Sequence, residues 1–75
     1  MYYVYVLKRE DNGTTYIGYT NDLKRRFKEH KDKKPNLIYY EAYKNERDAR
    51  NRERMLKQRG QAVRRLKERL EFSLE

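Results

Sequence analysis

Seventy-five residues make one small domain, in which most large apolar side chains must serve the core. Twenty Lys and Arg against twelve Asp and Glu leave a net charge of +8, which favours a polyanionic partner, nucleic acid before an anionic membrane surface. The absence of cysteine excludes a disulfide framework and a thiolate metal site, in keeping with a reducing cytoplasm, and no stretch is long or apolar enough to span a bilayer.

Residues 2–7 are aromatic and β-branched and predict a strand with no trace of a signal peptide. Asp11, Asn12 and Gly13 turn the chain, and residues 14–19 return as a second, antiparallel strand. Asn21 or Asp22, with Thr20 a further possibility, caps a helix that runs to about His30. Leu23 and Phe27, at i and i+4, are its expected buried stripe. Residues 31–35 form a polar loop, and residues 36–43 a third strand. Asn45 caps a second helix to about Gln58, Gly60 stops it, and a third helix carries Val63, Leu66 and Leu70 on one face. The order β-β-α-β-α-α predicts one α+β domain over residues 1–75, a three-stranded antiparallel sheet flanked by helices.

Charge and aromatic residues are unevenly spread. All eight tyrosines fall between Tyr2 and Tyr43, whereas basic residues crowd into residues 24–34 and 44–69. Aromatics interleaved with cations suit nucleic acid, as stacking platforms or as a reactive site. The hairpin brings Tyr5 and Tyr16 close together across the sheet. Tyr19, Tyr39, Tyr40 and Tyr43 read as core or platform residues. Arg26 and His30 share a face of the first helix; a guanidinium forks onto phosphate oxygens, and an imidazole moves protons near neutral pH. Plainer alternatives are a solvated charge run for Arg26 and a dipole contact for His30. On the second helix Ala49, Glu53 and Leu56 lie at i, i+4 and i+7, so Glu53 points inward. An inward carboxylate needs a partner, either a neighbouring arginine (Arg50, Arg52 or Arg54) or a cation such as magnesium, which takes few protein ligands.

Together these residues resemble a known pattern. Tyr3-Val4-Tyr5, Tyr16-Ile17-Gly18, Leu23 with Arg26 and His30, and the later Glu53 are similar to the GIY-YIG nuclease superfamily, in particular its small stand-alone, UPF0213-like bacterial members. The second motif is kept letter for letter, while Tyr3 and Val4 stand in place of Gly and Ile in the first. The resemblance implies a metal-dependent endonuclease, weak or structure-selective, that favours DNA over RNA without the sequence deciding between them, with a place in repair or recombination. It implies that Tyr5 deprotonates or orients the attacking water, that Tyr16 binds the same water or the phosphate, and that Arg26 stabilises charge on the phosphoryl oxygens. By the same likeness His30 assists proton transfer or holds phosphate, and Glu53 binds one Mg2+ or Mn2+ ion. Which of Tyr5, Tyr16 and His30 is the base stays open. A tyrosine base at pH 7 requires nearby cations to lower its pKa, and Arg26 and the metal are the expected source. Lys24, Arg25, Lys28, Lys31, Arg50, Arg54 and Lys57 are the expected nucleic-acid contacts, and a monomer is favoured. The alternatives are a poorly cutting nucleic-acid-binding module of the same fold, or a basic adaptor for an acidic partner.

Overall fold

The computed structural model describes residues 1–9, 13–29, 35–58 and 61–73. Its elements follow the expected order: β1 (Tyr2–Arg9), β2 (Thr15–Thr20), α1 (Leu23–Glu29), β3 (Pro35–Tyr43), α2 (Glu46–Lys57) and α3 (Gln61–Arg69). The sheet runs β2-β1-β3 with both pairs antiparallel, so the most apolar strand takes the centre. Val4, Tyr5, Val6 and Leu7 are all buried there, because both faces of the strand are covered.

Alternation along β1 sorts the two faces. Val4 and Val6 join Ala49, Leu56 and Leu66 in the core, so α2 and α3 close that side. Ile17, Tyr19, Tyr39 and Tyr43 pack against the same cluster. Tyr5 points to the other side, where α1 lies and Arg26 reaches it. Two side-chain caps start the helices: Asp22 Oδ1 accepts from the Arg25 amide at 3.1 Å, and Asn45 Oδ1 from the Arg47 amide at 2.8 Å. The expected turn residues Asp11 and Asn12, the loop 31–34 and the Gly60 stop lie outside the described residues; Gly13, at φ 69°, is in the left-handed region that suits glycine.

One expectation fails on α1. Leu23 is only half-buried and Phe27 is 39% exposed, so this helix has no buried stripe. Its apolar pair borders an open cleft instead of filling it.

The α2–β3 contact contains a polar network that the sequence did not announce. Glu41 on β3 accepts from Arg52 Nε at 3.0 Å, from the Tyr39 hydroxyl at 2.7 Å and from the Tyr43 hydroxyl. Burial pushes the Glu41 carboxyl up, but the hydrogen bonds from Arg52, Tyr43 and Tyr39 outweigh it and hold it below the usual carboxylate range. Burial and then Glu41 push the Tyr43 phenol up to about 12. A lowered folded pKa contributes stability above the unfolded value near 4.5, and loses it as pH falls through the folded value. Glu41→Gln should therefore cost about 2 kcal/mol at pH 7, as expected for charged hydrogen bonds, and flatten the acid limb of stability. Urea melts from pH 7 to 3 measure both; an unchanged acid limb would show that the network does not couple to folding.

Candidate active site

The site begins with a row across the sheet. Tyr5 pairs with Gly18 on one neighbouring strand and with Tyr40 on the other. Tyr16 stands further along β2, and its ring centroid is 6.3 Å from that of Tyr5. Gly18 is the floor between the two phenols. A Cβ there would come within 3.0 Å of both Tyr5 Cζ and Oη, and 2.9 Å from Tyr16 Cε1. Space, not backbone freedom, requires glycine here.

Arg26 reaches this row from α1. Its Nε donates to the Tyr5 hydroxyl at 3.1 Å, and its Nη1 donates to Glu29 Oε2 at 3.1 Å. The Tyr5 hydroxyl above all, with Glu29 and Tyr16 adding to it, pushes the guanidinium above its ordinary pKa. Arg26 is thus a fixed cation clamped between two elements. Beside Arg26 alone, the Tyr5 phenol shifts upward. Burial raises its phenol, and the opposing bond and charge of Arg26 do not restore the ordinary value. With Arg26 as its neighbouring cation Tyr5 is a neutral phenol at pH 7, because the residue is only 1% exposed and an anion there would lack water.

Glu53 is half-buried on α2, and its charge is close enough to raise the Tyr5 phenol further. Its Oε2 accepts from Lys57 Nζ at 3.1 Å, and the same ammonium lies 5.9 Å from the Tyr16 ring centroid. The end of α2 therefore meets the edge strand β2 at the phenol pair. The carboxylate's partner is a lysine one turn on, not one of its flanking arginines, which are engaged elsewhere. Arg50 pairs with Glu46 at 3.8 Å, Arg52 with Glu41, and Arg54 with Asn51 at 3.3 Å.

Tyr5, Tyr16 and Arg26 thus sit together and Glu53 is linked to them through Lys57, while His30 and Lys31 lie outside the described residues. Lys24, Arg25 and Lys28 are exposed on α1, on the Tyr5 side, and Arg25 pairs with Glu29 at 3.7 Å. Arg50 sits 4.4 Å from the centroid of the Tyr19 ring, on the opposite face. Arg54 is exposed on α2. One contributor was missed, the space-filling role of Gly18, signalled by a glycine inside a strand; Lys57, expected as a nucleic-acid contact, is instead engaged as the partner of Glu53.

Comparison with known proteins adds to this geometry. Residues 1–68 match the GIY-YIG catalytic domain. The chain belongs to the GIY-YIG family. It is 37% identical over 67 residues to a UPF0213 protein of Clostridium perfringens, covering 76% of this chain and 71% of that one. A UPF0213 protein of Streptococcus agalactiae shows 37% identity over 67 residues, with 76% and 75% covered. No solved structure matches. GIY-YIG proteins are nucleases that act on nucleic acid and generally use divalent metal ions. No described helix is long and apolar enough to cross a membrane.

The donor set here fits such an ion in one form only. Among the described residues there is no cluster of three His, Cys, Asp or Glu side chains. The half-buried carboxylate of Glu53 remains, and a lysine ammonium already neutralises it at 3.1 Å. A cation completed largely by water and phosphate suits that arrangement, as magnesium is commonly held.

Proposed function

We propose that this GIY-YIG protein is a divalent-metal-dependent endonuclease that hydrolyses phosphodiester bonds in DNA, with structure-selective or weak cutting and little base-sequence preference. The observation that carries the proposal is the Arg26–Tyr5 hydrogen bond at 3.1 Å, which aims a fixed guanidinium beside two phenols. Arg26 binds the phosphoryl oxygens and stabilises the charge they gain. Tyr5 acts as a neutral phenol that holds Arg26 and orients the attacking water. Tyr16, 40% exposed, hydrogen-bonds the water or the phosphate from the open side. With Tyr5 neutral, Tyr16 and His30 are the candidates for accepting the proton. Glu53 would hold Mg2+ or Mn2+, which when bound polarises the phosphate and eases departure of the leaving oxygen. Exposed lysines and arginines contact phosphates, which position DNA without reading its sequence. Cutting of this kind suits branched or interrupted DNA arising in repair or recombination.

The purified protein should nick plasmid only with Mg2+ or Mn2+ present, and Glu53→Ala should abolish nicking while DNA still binds. If Glu53→Ala nicks like the parent, Glu53 holds no essential metal. Binding itself should weaken steeply from low to physiological salt, as counterion release demands; a salt-independent affinity would point to an acidic protein partner instead. The Lys57–Glu53 ion pair favours a second reading, a binding module of the same fold whose carboxylate is already satisfied. Nicking that stays absent with either metal, alongside salt-dependent DNA binding, would establish that reading.

A further inference from the structure

We propose that the cleft between α1 and β3 is a pocket for one unstacked base of a DNA strand, beside the nucleotide whose phosphate meets Arg26. The proposal rests on the nuclease reading and narrows its substrate to DNA with an unpaired nucleotide near the cut.

The cleft measures about 630 Å³ and is walled by Tyr3, Leu23, Phe27, Leu37 and Tyr40. Tyr40 is 51% exposed and Phe27 39%, in a small domain that has few large apolar side chains to leave in water. Tyr3 meets Tyr40 edge-on at a centroid distance of 6.1 Å, which presents a fixed aromatic corner. Such rings accept any base by its π face, without sequence preference.

Position links the cleft to the site. Tyr40 is the direct cross-strand partner of Tyr5, and Tyr3 lies two residues before Tyr5 on the same face of β1. Arg26 stands between Leu23 and Phe27 on the helix that forms the cleft's other wall. A base seated against Tyr40 therefore belongs to a nucleotide next to the one held by Arg26. Lys24 and Lys28, one turn apart, border the same cleft and supply cations for the flanking phosphates. Asp22, also at the cleft, is committed to the start of α1 through the Arg25 amide. A duplex keeps its bases stacked inward and cannot fill this space; a single strand, flap or gap can.

The test uses the whole chain without divalent metal, so that binding is read apart from cleavage. Fluorescence anisotropy compares a single-stranded oligonucleotide with a duplex of the same length, and 2-aminopurine in the single strand reports base stacking. Tyr40→Ala should weaken single-strand binding about tenfold, within the range for losing one stacked base, and relieve 2-aminopurine quenching. Tyr40→Phe should retain both, and duplex affinity should change by less than about twofold in either variant. Phe27→Ala, at another exposed wall residue, should repeat the single-strand loss. Single-strand affinity and quenching unchanged in Tyr40→Ala and Phe27→Ala would overturn the pocket. So would a Tyr40-dependent dimer in sedimentation, which would assign the cleft to a second copy of the chain. Absence of nicking with an intact Tyr40 effect would remove the nuclease reading and leave the pocket standing.

Discussion

Gly18→Ala should abolish nicking and lower the melting temperature by on the order of 10 °C, since overpacking costs about 1–3 kcal/mol and a domain of this size loses several degrees for each. The added methyl would lie within 3.0 Å of the Tyr5 ring carbon and hydroxyl. Tyr5 is 1% exposed and has no room to withdraw, whereas Tyr16 is 40% exposed and can swing outward. The strain therefore falls on the Tyr5 hydroxyl and on its 3.1 Å bond to Arg26. Gly13→Ala is the matched control. It has open space but a φ of 69°, so it should lose about 1 kcal/mol to backbone strain and keep its activity. Circular-dichroism melts and plasmid nicking on both variants decide the matter. A Gly18→Ala protein that melts and nicks like the parent would show that the phenol pair tolerates movement and that its packing does not set the chemistry.

Local chemistry made much of this molecule legible. Aromatic and β-branched runs placed the strands, and Asn45 marked the start of α2 by a cap that the structure contains. The i, i+4, i+7 spacing of Ala49, Glu53 and Leu56 turned Glu53 inward, and both apolar members are buried. What escaped was set by partners distant in the chain. Arg52 was a plausible mate for Glu53 until Glu41, eleven residues earlier on β3, claimed it. Phe27 had the right spacing for a buried stripe, but it borders an open cleft whose far wall is Tyr3, Leu37 and Tyr40 on the sheet. The sign of the Tyr5 shift depended on burial in a central strand, a tertiary quantity that a motif does not carry. A cation next door argued for a lowered phenol pKa; desolvation won.

That outcome leaves Arg26 as the main source of positive charge beside the phenols. Arg26→Ala should reduce the nicking rate by about 10²–10³-fold, the usual loss when one preorganised donor to a developing oxyanion is removed. Arg26→Lys should recover little, because an ammonium can take neither the Tyr5 hydroxyl through an Nε–H nor two phosphate oxygens through a fork. Tyr5→Phe deletes only the hydroxyl that Arg26 grips, and it keeps the buried ring. If Tyr5 acts mainly by holding the guanidinium, Tyr5→Phe combined with Arg26→Ala costs no more than Arg26→Ala alone, since both remove one unit. If Tyr5 also orients water independently, the two losses multiply. The pH profile separates the roles further. A neutral Tyr5 with a raised pKa contributes no titration step to the rate between pH 7 and its ordinary value of 10. Any step in that range that survives in Tyr5→Phe belongs to another group. A step that vanishes with the Tyr5 hydroxyl would mean that substrate and metal reverse the shift and make Tyr5 the base.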